Sequence, residues 1–213
     1  MFVLGLDTST AAVAVDVVDL DGDRLLARRA PVNARGHGEL LSPTIGECLA
    51  DAGIAPRDLA AVVAGTGPGP YTGLRVGLVT AAALGHALGI PTYGVCSLDG
   101  VPARAAVVVT DARRHEVYWA RYDEVGDRVA GPGVDHPDAV PLDGISNIAG
   151  SAVDLHDWPA HLSILPQRYP EPAALIARAR DRIASNAESE PLTARYLRHP
   201  DAVVPGAPKR ASQ

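Results

Sequence analysis

The sequence predicts an α/β fold with mixed β-sheets, and three patterns support this expectation. Apolar runs of strand length recur near the amino terminus and are separated by short polar turns. Two later segments carry apolar residues at three- and four-residue spacing, which is typical of amphipathic helices. Between those segments, residues 59–64 form an apolar run long enough for a strand buried on both faces.

The first half of the chain places these elements in a definite order. Asp7–Thr10 is expected to form the turn between the first two strands, and an Asp-Gly turn leads to the third. Gly53 and Gly89 are suited to end the two helices, because glycine readily adopts the left-handed conformation found after helix ends. The predicted elements are strands at 2–6, 11–18, 24–32, 59–64 and 92–95 and helices at 37–52 and 73–88.

The segment Gly65–Gly77 joins the buried strand to the second helix. Its closely spaced glycines allow unusual backbone angles and close approach, and Thr72 is placed as an N-cap. The loop by itself leaves two interpretations open, an anion-binding loop and a turn that lets the helix pack closely on the sheet. Since no lysine and no complete nucleotide clamp surround it, the packing interpretation is favoured, with the helix presented to another protein.

The second half of the chain has weaker signals. Residues 105–110 and 116–122 predict a hairpin, and 131–142 predicts a loop because it is rich in glycine, proline and aspartate. A strand is expected over 147–153 and a helix over 172–185.

The order β-β-β-α-β-α-β is that of one lobe in the fold shared by actin, the heat-shock ATPases and sugar kinases. We therefore expect a two-lobed, actin-like (ribonuclease H-like) α/β fold with mixed sheets and a reduced second lobe. The expected division is an amino-terminal lobe at 1–100, a smaller lobe at 101–198 and a disordered tail at 199–213.

Composition limits the classes of function. A formal charge of −6 and a pI near 5.6 argue against a protein that holds nucleic acid by its own surface alone. Cys48 and Cys96 are too few for a disulfide framework or a clustered metal site. The amino terminus lacks the pattern of a signal peptide and no membrane-length apolar run occurs, so a cytoplasmic protein without membrane association is expected.

Candidate nucleotide-binding residues lie in two places, the Asp7-Thr8-Ser9 turn and the glycines Gly67 and Gly69. In actin-like folds such a turn holds phosphates through backbone N–H groups while the aspartate faces a metal. The alternative is a turn in which Asp7 and Ser9 satisfy their own backbone. The second lobe offers Asp111 without a glycine pair, so only half of a nucleotide clamp is visible, and phosphoryl transfer needs both halves.

No metal site and no catalytic residue are predicted. His37 opens the first helix, where a histidine four residues later would complete a metal-binding face. The residue four positions later is Leu41, whose side chain cannot bind a metal.

Several motifs together resemble the TsaB (YeaZ) family, the glycine segment being the most specific. Family members commonly have serine and phenylalanine where this chain has Pro70 and Tyr71. The matching motifs are Gly5-Leu6-Asp7-Thr8-Ser9, Gly67–Gly77, Asp111-Ala112-Arg113 with Val117-Tyr118-Trp119, and Ala194-Arg195-Tyr196-Leu197-Arg198.

The resemblance implies a partner protein without chemistry of its own. Such proteins are similar to shortened paralogues of TsaD, which transfers a threonylcarbamoyl group to N6 of an adenosine in tRNA. The metal helix of TsaD has its second histidine where this chain has Leu41, which fits a scaffolding role. The expected assembly contains TsaD and the ATPase TsaE, and the chain is expected to contact tRNA only indirectly, through this complex. No cofactor is expected except ATP or ADP at the interface with a partner.

The resemblance also implies that the first two long helices pack against the same helices of the paralogue, or of a second copy in a homodimer. The candidate interface residues are Leu40, Leu41, Thr44, Ile45, Cys48, Gly73, Leu74, Gly77, Leu78, Ala81 and Gly85. Two alternatives are an ATP-dependent kinase of small metabolites, suggested by the Asp7 turn, and a metallopeptidase-like protein.

Overall fold

The computed structural model describes residues 1–198, which form two five-stranded mixed sheets and three α-helices. None of the helices in this range is long and apolar enough to cross a membrane. The helices are α1 His37–Ala52, α2 Tyr71–Leu88 and α3 Pro172–Ala184. The strands are β1 Phe2–Asp7, β2 Ala14–Asp19, β3 Arg24–Arg29, β4 Leu59–Gly65, β5 Thr92–Val95, β6 Ala106–Asp111, β7 Val117–Tyr122, β8 Arg128–Asp135, β9 Asn147–Ala149 and β10 Ser163–Ile164.

The first sheet has the order β3-β2-β1-β4-β5 and is covered on both faces. β1 pairs antiparallel with β2 and parallel with β4. Along β4, Val62 and Ala64 contribute to the core under α1 and α2, while Ala61 and Val63 contribute to the core under α3. This alternation explains the uninterrupted apolar run, because a strand buried on both faces has no position for a polar side chain.

The second sheet repeats the pairing pattern of the first. Its order is β10-β9-β6-β7-β8, with β6 antiparallel to β7 and parallel to β9. Short 3-10 turns at Pro137–Ala139 and Ser151–Asp154 stand where the first sheet has α1 and α2. The predicted actin-like fold with a reduced second half is therefore confirmed.

One predicted loop is a strand. Residues 131–142 were expected to be irregular, but β8 extends to Asp135 and pairs with β7. The register of this pair shifts around Gly131 and Pro132, and an edge strand tolerates proline because one side of its backbone needs no partner. The Trp119 indole donates a hydrogen bond to Asp135 at 2.7 Å, which ties the strand end to its neighbour.

Two smaller expectations are wrong at their boundaries. Thr72 is not the N-cap of α2, since the helix begins at Tyr71 after Pro70 and no side chain caps it. The strand expected over 147–153 ends at Ala149, where the chain enters a 3-10 turn. Gly53 and Gly89 do end their helices in the left-handed conformation.

The last described residues connect the two sheets. Glu190 donates its backbone N–H to Thr92, Arg195 donates to Thr66, and the Arg198 side chain donates to the Ala112 carbonyl. This carboxyl-terminal segment, residues 187–198, therefore runs from the edge of the first sheet to the hairpin of the second. The predicted tail, 199–213, lies outside the described residues.

A buried carboxylate attaches α3 to the first sheet. Asp16 is fully buried, accepts two hydrogen bonds from Arg28 at 2.9 Å, and accepts the Ala173 N–H at 2.7 Å in the first turn of α3. Arg28 also pairs with Glu171. Because the carboxylate is fully hydrogen-bonded, its removal leaves several donors without an acceptor.

We expect Asp16→Ala to lower the free energy of unfolding by about 3 kcal/mol, as for other broken buried pairs. Asp51→Ala is the matched control, since Asp51 pairs with Arg29 at an exposed site and its loss is expected to cost less than about 1 kcal/mol. Urea denaturation of both variants measures the difference. Equal losses in the two variants would contradict the role of Asp16.

Candidate functional site

A cleft of about 600 Å³ lies at the carboxyl ends of β1 and β6, the central strands of the two sheets. One wall contains Thr8, Ser9 and the start of α2, and the other contains Asp111 and Arg113 of the second sheet's hairpin. His37, at the start of α1, also lines the cleft. The sheet topology thus brings together residues that are more than a hundred positions apart in the sequence.

The Asp7 carboxyl does not line this cleft. It is buried, and its Oδ1 accepts hydrogen bonds from the backbone N–H of Ser9 at 2.8 Å and from the Ser9 hydroxyl at 2.7 Å. Its Oδ2 points toward Gly65, where an added Cβ would lie only 1.8 Å from it, and has no hydrogen-bond partner among the described residues. This is the geometry of a turn that satisfies its own backbone, whereas Thr8 and Ser9 do face the cleft.

Burial raises the pKa of the Asp7 carboxyl, because the charged form loses its hydration. The nearby Ser97 hydroxyl and the Ser9 hydroxyl and N–H, both of which donate to Oδ1, lower this pKa, but burial is the largest cause. A carboxyl in this setting is a structural group with an energetic cost when ionised.

The glycine segment seats α2 against the Asp7 turn. A Cβ on Gly69 would lie 2.3 Å from the Ser9 carbonyl oxygen, and one on Gly77 would lie 2.3 Å from Thr8 Oγ1. Thr8 Oγ1 in turn donates to the Gly73 carbonyl at 2.7 Å. Gly67 has a left-handed φ of 88° and its N–H donates to Ser97 Oγ at 2.9 Å. These contacts match the packing interpretation of the segment.

His37 is buried at the base of the cleft. Its Nε2 lies 2.7 Å from the Thr10 carbonyl oxygen, and Leu41, one turn later, is packed into the core. Among residues 1–198 there is no group of three histidine, cysteine, aspartate or glutamate side chains that could hold a metal ion.

The predicted interface residues mostly face the chain's own sheet. All of them except the half-buried Leu40 are buried. Leu74 and Ala81 have no exposed surface at all. The assignment of these helices to a partner interface remains a prediction, and side chains on the opposite face of each helix are the ones available to a partner.

That outer face is formed mainly by small and aliphatic side chains, but it also exposes Glu39 of α1 and Arg75 and His86 of α2. Glu47 and Asp51 of α1 are held by Arg29 of β3 and so mark the border of the surface. Gly38 and Gly46 have no atom within 4 Å of an added Cβ, which means that their outer sides are open. The exposed small or aliphatic residues are Gly38, Ser42, Pro43, Gly46 and Ala50 on α1 and Thr72, Val79, Ala82, Ala83 and Ala87 on α2.

A cluster of aromatic and basic side chains at the rim of the cleft was not predicted. The Tyr71 and Tyr196 rings stack with centroids 5.2 Å apart, and the Arg75 guanidinium lies 5.1 Å from the Tyr71 centroid. In the sequence, Tyr196 stands out only as a member of a motif shared with the TsaB family, and that motif does not predict a contact with Tyr71. No spacing rule could have paired two tyrosines that are 125 positions apart in the sequence.

Comparisons with known proteins agree with this architecture. The family model for TsaD, tRNA N6-adenosine threonylcarbamoyltransferase, matches residues 31–156. The crystal structure of YeaZ from Pseudomonas aeruginosa superposes with a TM-score of 0.73 at 25% identity, covering 92% of this chain and 99% of that one. A protein from Mycobacterium leprae is 50% identical over 205 residues, covering 94% of this chain and 55% of the relative.

The TsaB protein of Bacillus subtilis, a tRNA threonylcarbamoyladenosine biosynthesis protein, is 32% identical over 128 residues, covering 57% of this chain and 55% of that protein. The matches therefore span just over half the length of these two sequence relatives. The fold and these likenesses define an actin-like protein of the TsaD-related group. Within that group, the chain belongs to the TsaB (YeaZ) family.

The raised pKa of Asp7 predicts a pH-dependent stability. The folded state holds the proton more tightly than the unfolded state, so this group's contribution falls as pH rises from 3.8 through the folded pKa. Relative to the wild type, the free energy of unfolding of Asp7→Asn should therefore rise with pH over that range. Denaturant titrations across the acidic range measure this difference.

Asp19→Asn is the control of opposite sign. Hydrogen bonding from the Gly22 N–H is the main reason that the Asp19 pKa is lowered. As pH rises toward 3.8, ionisation of Asp19 adds to the stability of the wild type. The free energy of unfolding of Asp19→Asn, relative to the wild type, should therefore fall over this range. A pH-independent difference for Asp7→Asn would disprove the burial argument.

Proposed function

We propose that this chain is a non-catalytic scaffold subunit of the tRNA N6-threonylcarbamoyladenosine transferase assembly, which binds and activates a TsaD paralogue together with TsaE. The observation that carries the proposal is the open outer face of α1 and α2, which is formed mainly by small and aliphatic side chains. Membership of the TsaB family supplies the reaction to which such a surface would contribute.

The outer face suits helix-to-helix docking. Glycine and alanine let two helix backbones approach closely, and a surface with few charged side chains loses little hydration when it is covered. Glu39 and Arg75 are charged and exposed there, and each would need a partner of opposite charge. The inner faces of both helices are already occupied by the sheet, so docking of a partner needs no rearrangement of the core.

The surroundings of His37 support a scaffolding role. The ring is used in a hydrogen bond to Thr10, and the side chain of Leu41 is part of the core under α1. A metal-binding pair on this helix would need a polar ligand where Leu41 now packs.

ATP or ADP binding belongs to the proposal only at the boundary with a partner. Thr8 and Ser9 line the cleft, but their hydroxyl groups already donate to the Gly73 carbonyl and to Asp7, and the Asp7 carboxyl is turned away from the cleft. A kinase of the same fold would need a carboxylate that faces the metal and phosphates.

A substitution at Gly46 separates docking from folding. Gly46→Gln places a long side chain on the outer face, where nothing lies within 4 Å of its Cβ. The isolated protein should keep or slightly raise its Tm, because glutamine favours helix more than glycine does. Its affinity for the TsaD paralogue should fall at least about a hundredfold, corresponding to about 3 kcal/mol, in calorimetry or co-elution.

Ala184→Gln on α3 is the matched control, since it adds a similar side chain to an exposed helix position away from α1 and α2. If Gly46→Gln binds the paralogue as well as the control does, the outer face is not the docking surface.

Restoration of the modified nucleoside tests the function itself. In cells depleted of their own TsaB, expression of this chain should restore N6-threonylcarbamoyladenosine in tRNA, measured by mass spectrometry of digested tRNA, and Gly46→Gln should not. Failure of the wild-type chain to restore it, together with no binding to the paralogue, would refute the proposal.

A further inference from the structure

The rim of the cleft combines exposed aromatic rings with arginines that have no acidic partner among residues 1–198. Tyr71 is 57% exposed and Tyr196 is 46% exposed, although large aromatic side chains are usually covered. Their stacking and the Arg75 contact hold the rings in defined positions. The platform formed by Tyr71, Arg75 and Tyr196 is therefore ordered before any ligand arrives.

Positive charge is concentrated around this platform. Arg35 lines the same cleft as Tyr71, and Arg195 precedes Tyr196 and donates a hydrogen bond from its Nε to the Thr66 hydroxyl. Among the described residues, Arg35, Arg75 and Arg195 form no ion pair, whereas Arg113 and Arg198 are paired with Asp111 and Glu116. The rim is thus locally basic in a chain whose formal charge is −6.

We infer that this platform binds unpaired bases of a single-stranded RNA segment, with the neighbouring arginines holding its phosphates. Exposed rings flanked by cations are the arrangement that binds single-stranded nucleic acid, because bases stack on the rings while phosphates meet the arginines. Duplex RNA does not fit the platform, since its bases are already stacked on each other. The inference deepens the proposed function, on which it rests for the identity of the RNA as tRNA.

The small size of the basic area also explains how an acidic protein could contact RNA. A few arginines contribute a correspondingly small number of phosphate contacts, so the isolated chain should bind weakly and only at low salt. In an assembly, such a surface would add to contacts made by other subunits.

The test uses the full-length chain and a fluorescently labelled RNA hairpin with an unpaired loop, measured by fluorescence anisotropy at low salt. Tyr196→Ala should weaken binding about tenfold, the loss expected for one stacked base. Tyr196→Phe should bind like the wild type, because it keeps the ring. Arg35→Gln should reduce the slope of log K against log salt concentration by about 0.7, the value for one phosphate contact on a single strand.

Arg57→Gln is the matched control, since Arg57 is exposed and precedes the amino end of β4, whereas the rim lies at the other end of that strand. An equal effect of Arg57→Gln would show general charge attraction and overturn the inference. It would also be overturned if a fully paired duplex bound as tightly as the hairpin, or if ATP displaced the hairpin at concentrations that fill a nucleotide site. Unchanged RNA binding by Tyr196→Ala, with loss of paralogue binding, would assign the platform to a protein partner instead.

The two proposals fail separately. RNA binding is measured on the isolated chain and so does not require the paralogue, whereas Gly46→Gln changes a surface outside the platform. If the isolated chain does not bind the RNA hairpin but still binds the TsaD paralogue, only the inference about the platform is refuted.

Discussion

The close contact between α2 and the Asp7 turn is the constraint on which most of this structure depends. Gly69 and Gly77 bring the backbone of the glycine segment and α2 against Ser9 and Thr8 at distances that no side chain could share. The buried carboxyl of Asp7 lies against Gly65, at the start of the same segment, and so packs under the loop. Because α2 is seated so closely, its inner face completes the core and its outer face is left free.

The two sheets repeat one pairing pattern with different coverings. Long helices connect the parallel strands of the first sheet, whereas the corresponding connections of the second sheet contain only short 3-10 turns. α3 follows the second sheet in the chain but packs on the first sheet, where the Asp16 carboxylate accepts a hydrogen bond from the Ala173 N–H in the first turn of the helix. The segment 187–198 then returns to the second sheet. The chain therefore crosses between the sheets more than once, which fixes the walls of the cleft relative to each other.

The outer face of α1 and α2 and the platform at the cleft rim are two surfaces that the core leaves unused. The first is formed mainly by small and aliphatic side chains, and so suits a protein partner. The second is aromatic and basic, and so suits single-stranded nucleic acid, which combines base rings with anionic phosphates. They meet near the start of α2, where Tyr71 begins the helix. Under the two proposals, the first surface would hold a protein partner and the second would hold single-stranded RNA.

Local patterns were sufficient for most of the elements. The helix over 37–52 follows from apolar spacing and its terminal glycine, and β4 follows from an apolar run, because both signals depend on neighbours in the sequence. β8 was missed because its glycines and Pro132 are signals of a loop, and only pairing with β7 at a sheet edge makes a strand there. The repeat of the sheet topology was also invisible, since hydrogen-bond pairing leaves no mark in the residue types of the shorter second half.

The sequence by itself determined the fold class, the family resemblance and the two long helices. Only the tertiary structure decided which face of each helix is available and what each site residue does. Leu74 and Cys48 fit a partner interface equally well by pattern, because an apolar stripe has the same period whether it faces a sheet or another protein. Asp7 likewise fits a phosphate turn until the direction of its carboxyl is known. Direction depends on contacts between residues far apart in the chain, and those contacts exist only after folding.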